Sequence, residues 1–272
     1  MAEIKPNYDT KRKKLAEVIP LAAPFTVYIE QTKYCNFKCF YCIHSTRDEA
    51  DGEFRALGHR MQHMDEVFFE KIIRELKEFP QDGIKRIVFS GLGEPLMNPR
   101  LPEYVRMVVE AGIAGRVEII TNGLLLTPEK SRALVAAGIT NINISVQGLD
   151  AAGYEETCGI RIDFEHYLDN LKYLYEHKGD VQIYIKAIDA TLGTKENEEK
   201  FFEIFSPFAD RIYIEHLVVM QQQMDGLREI VDGTKNFYGE ELDVNRKVCA
   251  QSFYFMQIGC EGDIFPCPVP GL

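Results

Sequence analysis

Hydrophobic residues along the chain follow two alternating spacings, one typical of β-strands and the other of α-helices. Short runs of β-branched and aromatic residues predict six strands, and segments with apolar residues three or four positions apart separate most of them. The predicted strands are residues 25–30, 86–90, 117–120, 141–146, 181–188 and 211–217. The predicted helices are residues 64–79, 99–111, 128–137, 164–177 and 196–205. Thr127 is placed to cap the third of these helices, with Pro128 in its first turn.

This alternation indicates parallel strands joined by right-handed crossovers. A complete eight-stranded barrel of this kind usually takes about 250 residues, whereas the alternation here ends near position 217. We therefore expect an α/β fold with a partial (β/α)6 TIM-like barrel, and a flat doubly wound sheet is the alternative. In both architectures, functional residues lie at the carboxyl ends of the strands.

Polar or glycine-rich segments follow the first four predicted strands. They are a loop with three cysteines, Gly-Leu-Gly-Glu-Pro at 91–95, Thr-Asn-Gly at 121–123 and Ser-Val-Gln-Gly at 145–148. Asn-Gly alone is typical of an ordinary turn, and Gly-x-Gly alone is typical of an ordinary loop. Because the barrel brings the carboxyl ends of its strands to one rim, the four segments together predict a functional site there.

The loop after the first strand carries Cys35, Cys39 and Cys42 with the spacing C-x3-C-x2-C. A structural zinc site needs four protein ligands, and a [4Fe-4S] cluster used only for electron transfer needs four cysteines. Three thiolates leave one metal position open, so the spacing predicts a metal site at which a further molecule binds. A zinc site with His44 as the fourth ligand is the alternative.

Composition narrows the class of protein further. The 272 residues carry a net charge of −11, from 31 basic and 42 acidic side chains, which argues against nucleic acid as a partner. No signal peptide is visible, and no apolar stretch approaches the ~18 residues of a membrane helix. We therefore expect no membrane partner, a cytoplasmic location, and seven cysteines that are metal ligands or free thiols.

On these motifs, the chain resembles the radical S-adenosylmethionine (SAM) enzymes over residues 25–220. The resemblance is carried by the C-x3-C-x2-C loop, by Tyr41 just before its third cysteine, and by Gly-Glu-Pro at 93–95. It implies that Cys35, Cys39 and Cys42 hold a [4Fe-4S] cluster whose fourth iron is chelated by SAM. One electron from the cluster would cleave SAM, and the resulting 5'-deoxyadenosyl radical would take a hydrogen atom from the substrate.

The resemblance also implies contacts with SAM at the other strand ends. Glu94 and the backbone around Gly91 and Gly93 would receive the methionine ammonium group, and Leu92 stands where many family members have glycine. The backbone around Tyr41 would meet the adenine. The further contacts would be Ser145 and Gln147 with the ribose hydroxyls or carboxylate, Arg161 with the carboxylate, and Asn122 with adenosine or with the residues behind it.

Plainer interpretations of some of these residues stay open. Ser145 and Gln147 can simply end a strand and begin a turn, and Arg161 can be an ordinary surface residue. The resemblance implies a one-electron reductant such as flavodoxin or ferredoxin. Basic residues near the cysteine loop can dock such a partner or can be solvated loop charges; they are Lys33, Lys38 and Arg47.

Three further cysteines, Cys249, Cys260 and Cys267, follow the predicted barrel. The surrounding pattern predicts a β-hairpin with strands at 253–258 and 263–265. The segment resembles the start of the SPASM or twitch extension of radical SAM enzymes. That resemblance implies an auxiliary iron-sulfur cluster on Cys249 and Cys267, with Cys260 as a packed thiol.

The family extension continues with further cysteines, so we expect the chain to be truncated near residue 272. The expected organisation is an N-terminal segment (1–24), the radical SAM barrel (25–220) and the start of the extension (221–272).

The sequence predicts the initiating chemistry more specifically than the substrate. We expect an enzyme that oxidises or epimerises a small polar molecule such as a sugar, cyclitol or polysaccharide precursor. The alternatives are a peptide-modifying or protein-modifying maturase and a non-catalytic iron-sulfur electron-transfer protein. About 24 residues precede the first predicted strand, too few for the leader-binding domain of many peptide-modifying members, which favours the small substrate.

Three residues are weak candidates for catalysis. Cys158 is a hydrogen donor in one interpretation and an inert thiol in the other. Glu215 and His216 end the sixth predicted strand and point to the substrate space, although a histidine there is often a structural hydrogen-bonding residue.

Overall fold

The computed structural model describes residues 2–7, 14–218, 227, 231, 233–242 and 247–268. Within these ranges, nine strands form a single sheet. The strands are β1 (Glu3–Ile4), β2 (Thr26–Ile29), β3 (Arg86–Phe89), β4 (Arg116–Thr121), β5 (Asn141–Ser145), β6 (Gln182–Ile188), β7 (Arg211–Glu215), β8 (Phe255–Ile258) and β9 (Ile264–Phe265). The α-helices are α1 (Glu53–Ala56), α2 (Glu66–Leu76), α3 (Leu101–Ala111), α4 (Pro128–Ala136), α5 (Ala151–Cys158), α6 (Phe164–His177), α7 (Asp189–Leu192), α8 (Lys195–Phe205) and α9 (Gln251–Tyr254).

The strands lie across the sheet in the order β1-β7-β6-β5-β4-β3-β2-β8-β9. Neighbouring strands are parallel except β8 and β9, which form the predicted antiparallel hairpin. From β2 to β7 each strand lies beside the one before it, whereas the order of a doubly wound sheet reverses at a switch point. This one-way progression, in a sheet that does not close, confirms the partial barrel and excludes the doubly wound alternative.

Alternate side chains of the strands form the hydrophobic core with the helices. Ile142 and Ile144 of β5 are fully buried, and Ile183 and Ile185 of β6 lie beside them in register. All four belong to one cluster with helix residues such as Leu134. Burial of side chains of this size contributes about 1.5–3 kcal/mol each, which holds the helices on this face of the sheet.

The opposite face of the same strands is polar. Glu118 is buried, and its carboxylate accepts hydrogen bonds from Arg116 Nη2 (3.0 Å) and Asn143 Nδ2 (2.9 Å). Asn143 Oδ1 in turn accepts from Asn7 Nδ2 at 2.7 Å. Because buried polar groups need partners, this network fills the inside of the barrel below the rim at which the strands end.

The predicted helices all form, with ends shifted by up to three residues, and Thr127 caps α4 by accepting from the Lys130 N–H group at 3.3 Å. Helix α5 was outside the prediction because Gly153 and the polar pair at 155–156 interrupt its apolar spacing. Residues 253–254 belong to α9 rather than to the hairpin strand. No helix within the described residues is long and apolar enough to cross a membrane.

The segments on either side of the predicted barrel extend its sheet. Strand β1 pairs with β7, and β8 pairs with β2. The division at residues 24 and 220 therefore stays a prediction, and residues 269–272, on which the expected truncation rests, lie outside the described ranges.

Candidate functional site

The cysteine loop that follows β2 is held by hydrogen bonds to its own backbone. The Arg47 guanidinium donates to the carbonyl oxygens of Cys35 (2.9 Å) and Phe37 (2.6 Å). The Cys42 N–H group donates to the Cys39 carbonyl oxygen at 2.9 Å. The three cysteines are partly exposed and carry free thiols. Arg47 therefore holds the backbone of the loop, a role that neither interpretation of this residue, docking of a reductant or a solvated charge, included.

Helix α5 supports the cysteine loop from behind. The N–H groups of Lys38 and Phe40 donate to the carbonyl oxygens of Cys158 (2.9 Å) and Thr157 (3.0 Å). The Cys158 side chain is buried, and its Sγ atom lies 3.6 Å from Sγ of Cys39. The structure thus brings a fourth cysteine against the loop.

The loop thiols suit a metal cation. Burial, with a smaller contribution from neighbouring thiols, raises the pKa of Cys35 and of Cys42 to about 12. A bound metal reverses this preference for the neutral form, because a coordinating thiol is deprotonated.

The glycines after β3 pack against the chain that leaves β2. A Cβ atom on Gly93 would lie 2.2 Å from the Thr32 carbonyl oxygen, and one on Gly91 would lie 2.5 Å from the Glu30 side chain. Both distances are far below any van der Waals contact. Only glycine fits at positions 91 and 93, because any side chain there would overlap atoms of the chain that follows β2.

Glu30 and Tyr34 hold the same segment through hydrogen bonds. The Leu92 N–H group donates to Glu30 Oε2 at 2.8 Å, and the Glu94 N–H group donates to the Tyr34 carbonyl oxygen at 2.8 Å. Glu30 is buried, which raises the pKa of its carboxyl group, and the hydrogen bond from Leu92 opposes that shift. Sequence reasoning missed Glu30, although an acidic residue at the end of an apolar strand was a usable signal.

The Glu94 carboxylate is buried and accepts three hydrogen bonds. Oε1 accepts from the Thr121 hydroxyl (2.6 Å) and the Leu96 N–H group (2.9 Å), and Oε2 accepts from the Asn122 N–H group (2.7 Å). Burial raises the pKa of this carboxyl group, and the hydrogen bonds oppose the shift. Among the described residues no ion pair includes Glu94. A carboxylate has about four acceptor positions, so one remains for a further donor. The Lys130 ammonium group is near enough to lower the pKa of Glu94 without forming an ion pair with it.

Asn122 connects the end of β4 with the cysteine loop. Its Nδ2 atom donates to Asn36 Oδ1 at 2.7 Å, and its Oδ1 atom accepts from the Leu124 N–H group at 3.0 Å. The Asn36 Nδ2 atom is buried and has no hydrogen-bond partner among the described residues. Because an unpaired buried donor is unfavourable, this group beside Cys35 indicates an acceptor that the described protein does not supply.

Three of the predicted SAM contacts lie together beside the cysteine loop. The Tyr41 hydroxyl donates to Gln147 Oε1, and Gln147 Nε2 donates to the Ser145 carbonyl oxygen at 3.3 Å. Arg161 lies apart, because 66% of its side chain is exposed and it pairs with Glu155 at 3.0 Å. Its position fits the interpretation as a surface residue.

A second polar group lines the inside of the barrel near the rim. Glu215 Oε1 accepts from the Tyr184 hydroxyl (3.0 Å), and Glu215 Oε2 accepts from Lys186 Nζ (2.6 Å). The register places Lys186 directly beside Ser145. Burial raises the pKa of Tyr184. The alternation of polar residues along β6 was the signal for Tyr184 and Lys186, which sequence reasoning missed.

The two histidines considered in the sequence lie in different environments: His216 pairs with a carboxylate, and His44 packs beside an aromatic ring. His216 Nδ1 lies 2.5 Å from Asp189 Oδ2, whose other oxygen accepts from the Leu217 N–H group at 3.0 Å. This arrangement fits a structural histidine. His44 is buried with its ring 5.0 Å from that of Phe54, and burial lowers its pKa to about 4.

The cysteines of the C-terminal segment lie in different surroundings. Cys249 is exposed before α9, and Cys267 is partly exposed after β9. Cys267 borders a cavity of about 480 Å³ between the hairpin and residues 57–62. Cys260 is buried, and its thiol donates to the Glu30 carbonyl oxygen at 2.9 Å. Cys260 is thus a packed thiol.

The same cavity is lined by a buried lysine. Lys33 is 5% exposed, and its Nζ atom lies 2.5 Å from Glu261 Oε2 and 3.8 Å from Glu30 Oε1. Lys33 is therefore not a solvated loop charge, and its existing ion pair also argues against the interpretation that it docks an electron donor. Lys38 is partly exposed and pairs with Asp48.

The arrangement of the possible ligand side chains bears on whether the site holds a single metal ion or an iron-sulfur cluster. In the described part of the chain, no three or more His, Cys, Asp or Glu side chains are arranged to hold one metal ion. The zinc alternative with His44 therefore gains no support from the geometry. The thiolates of a [4Fe-4S] cluster bind separate iron atoms, so they do not converge on one point. The three free thiols and the unpaired Asn36 donor fit such a cluster.

Fold and site together define a parallel α/β barrel with a cysteine loop at its rim. A family model described as the Radical SAM superfamily matches residues 29–206, more than half of the chain. The chain therefore belongs to the radical SAM superfamily, whose members are enzymes that use a [4Fe-4S] cluster and SAM.

Two curated relatives illustrate how widely the family's reactions vary. The tungsten-containing aldehyde ferredoxin oxidoreductase cofactor-modifying protein of Pyrococcus furiosus is 30% identical over 184 residues, which are 65% of this chain and 46% of that protein. The AdoMet-dependent heme synthase of Nitratidesulfovibrio vulgaris is 28% identical over 176 residues, which are 65% of this chain and 42% of that protein. The chain spans less than half the length of these relatives.

A solved structure supports the fold. The crystal structure of Streptococcus suis SuiB bound to S-adenosylmethionine superposes with a TM-score of 0.62 at 19% identity, over 93% of this chain and 62% of that chain. At this identity the likeness shows the partial barrel and nothing about the substrate.

Replacing Gly93 by alanine is expected to destabilise the protein by about 1–3 kcal/mol, because the new methyl group would overlap the Thr32 carbonyl oxygen. Gly115→Ala is the matched control, since a Cβ atom there meets no described atom within 4 Å. Anaerobic urea unfolding of both variants measures the difference. Equal unfolding midpoints would contradict the tight packing of the rim.

Proposed function

We propose that Cys35, Cys39 and Cys42 hold a [4Fe-4S] cluster and that the enzyme cleaves SAM reductively to remove a hydrogen atom from a small polar substrate. One observation carries this proposal. Three free thiols, the unpaired Asn36 donor and the buried Glu94 carboxylate meet at one rim of the barrel. When bound, the cluster supplies the electron for SAM cleavage, and the chain's own residues position the reactants.

Glu94 is the proposed receptor of the methionine ammonium group. Its hydrogen bonds with Thr121, Leu96 and Asn122 fix the carboxylate in place. A cation at its remaining acceptor position would remove the cost of burying an unpaired charge. The segment from Gly91 to Gly93 is braced by Glu30 and brings backbone groups to the same place.

Tyr41, Ser145 and Gln147 are proposed to line the adenosine side of the site. The Tyr41 hydroxyl orients the Gln147 amide, which keeps these residues in one arrangement beside the cysteine loop. Asn122 already uses both ends of its side-chain amide within the protein, so we place it behind the site, where it holds Asn36.

The proposal of a small polar substrate rests on the inside of the barrel. Lys186, Glu215 and Tyr184 offer a cation, an anion and a hydroxyl group within one hydrogen-bonded set next to Ser145. A molecule rich in hydroxyl or carboxylate groups can exchange hydrogen bonds with such a set, whereas an apolar molecule cannot. A peptide substrate is the alternative, since SuiB has been solved bound to its precursor peptide SuiA.

The proposal also includes an auxiliary iron-sulfur cluster and an external electron donor. Cys249 and Cys267 are the proposed ligands of an auxiliary cluster, with Cys267 at the wall of the 480 Å³ cavity. A flavodoxin or ferredoxin is the proposed reductant. Of the basic residues near the loop, Lys38 is partly exposed and suits contact with an acidic partner.

The central test is anaerobic SAM cleavage. Wild-type protein reconstituted with iron and sulfide is expected to form 5'-deoxyadenosine when dithionite and SAM are added. A Cys35→Ala, Cys39→Ala, Cys42→Ala triple variant should form none, because the cluster ligands are gone. Chromatography of the product, beside iron and sulfide analysis, gives the result. Wild-type protein that holds a full cluster and yet forms no 5'-deoxyadenosine would contradict the proposal.

A second test concerns Glu94. Glu94→Gln is expected to weaken SAM binding by roughly ten- to a hundredfold, because a charged hydrogen bond of about 1.5–3 kcal/mol is lost. Glu129→Gln, at an exposed position on α4, is the control with the same chemical change. Equilibrium dialysis of the cluster-loaded proteins measures both dissociation constants. Equal affinities in the two variants would remove Glu94 from the SAM site.

A third test separates the substrate classes. Sugars and cyclitols are expected to stimulate 5'-deoxyadenosine formation, and Lys186→Met should reduce that stimulation at least tenfold, since a charged hydrogen bond is worth about 1.5–3 kcal/mol. Lys200→Met, in an exposed pair with Glu196, is the control. Stimulation by peptides alone would instead establish the peptide-modifying alternative.

A further inference from the structure

A buried thiol lies next to one of the proposed cluster ligands. The Cys158 side chain is 1% exposed, and its Sγ atom lies 3.6 Å from Sγ of Cys39, within hydrogen-bond distance for two sulfur atoms. Cys39 belongs to the rim, whereas Cys158 ends helix α5 and lies 119 positions further along the chain. Two thiols at this separation share a hydrogen bond, and the protonation state of each sulfur decides which one donates.

The surrounding backbone keeps the two sulfur atoms together. The Lys38 N–H group, next to Cys39, donates to the carbonyl oxygen of Cys158 at 2.9 Å. The Phe40 N–H group, on the other side of Cys39, donates to Thr157 at 3.0 Å. Cys39 is thus flanked by two hydrogen bonds to the end of α5, so the contact between the thiols is a built feature of the loop.

Helix α5 is itself anchored at both ends. Asp150 caps its start by accepting from the Gly153 N–H group at 2.8 Å, and Gly159 ends it in the left-handed conformation with φ of 68°. The Tyr154 ring packs 5.8 Å from the ring of Phe37 in the cysteine loop. The helix therefore cannot move away from the loop without loss of core contacts.

The chemistry of a ligand thiolate sets the direction of this hydrogen bond. An iron-bound Cys39 has lost its proton and can only accept, so the neighbouring S–H group must donate. We propose that Cys158 donates an S–H···S hydrogen bond to the Cys39 thiolate and raises the reduction potential of the cluster. This inference rests on the proposed function, because it requires that Cys39 be a cluster ligand.

The expected effect follows from electrostatics. Reduction adds an electron to the cluster and increases the negative charge on its ligand sulfurs. A hydrogen-bond donor at a ligand sulfur stabilises that extra charge, and hydrogen bonds to the sulfurs are among the factors that set the potentials of iron-sulfur clusters. Cys158 would thus be a positioning residue that acts through Cys39, and its burial keeps water from competing for the same sulfur.

The test is a redox titration of the cluster in cluster-loaded protein, followed by electron paramagnetic resonance. Cys158→Ala removes the donor, and the midpoint potential is expected to become more negative. A tenfold loss in electron affinity corresponds to about 59 mV for a one-electron couple. Cys158→Ser keeps a donor of similar size and is expected to lie closer to the wild-type potential than Cys158→Ala does.

Cys260→Ala is the matched control, because Cys260 is buried like Cys158. The Cys260 thiol does not contact Cys39 but donates to the Glu30 carbonyl oxygen at 2.9 Å. It should leave the potential unchanged. Iron and sulfide analysis shows whether each protein holds the cluster.

Each outcome has a definite meaning. A cluster whose potential is the same in Cys158→Ala and in the wild type overturns this inference and leaves the proposed function intact. Loss of the cluster from both Cys158 variants, but not from Cys260→Ala, also overturns it, since Cys158 would then be needed to hold the cluster. Wild-type protein that cannot hold a cluster on the loop overturns both proposals together.

Discussion

The site depends on one buried carboxylate that ties the rim segments together. Glu94 accepts hydrogen bonds from the Leu96 and Asn122 N–H groups and from the Thr121 hydroxyl. Asn122 then holds Asn36 of the cysteine loop through its side-chain amide. Two rim segments and the cysteine loop therefore share one small network. The carboxylate stabilises the packed rim through these hydrogen bonds. Its buried negative charge is also stabilised further when a cation binds beside it.

The two faces of the sheet separate stability from chemistry. The helix-facing side is built from isoleucines such as Ile142 and Ile144, whose burial favours folding. The inner side carries paired polar groups instead, with Glu118 deep in the barrel and Glu215 near the rim. Paired buried charges contribute little net stability, because their attraction mainly offsets the cost of removing them from water. The hydrophobic face therefore supplies most of the folding free energy, whereas the inner face supplies the polar groups near the rim.

The sequence predicted the site residues that lie in local motifs better than those whose partners are distant along the chain. The cysteine loop and Glu94 lie in local motifs, and the strand pattern alone placed them at one rim. Glu30, Lys186 and Cys158 act through partners that are distant in sequence. Glu30 is 62 positions from Leu92, and no local periodicity reports that pairing. Lys33 is the opposite case, a residue for which the local sequence predicts exposure. It is buried because it pairs with Glu261 of the hairpin, which is distant in sequence.

The cysteine loop is consequently supported from two sides by different forces. On one side, Asn122 and the tightly packed Gly93 hold it to the rim by polar contacts and close backbone packing. On the other side, α5 holds it by two backbone hydrogen bonds and places Cys158 against Cys39. A loop held by these contacts has little freedom to rearrange around a bound metal centre. The energy of a change in the charge of that centre must then be met by fixed groups near the sulfurs, and buried donors such as the Cys158 thiol are suited to this because they need no reorganisation.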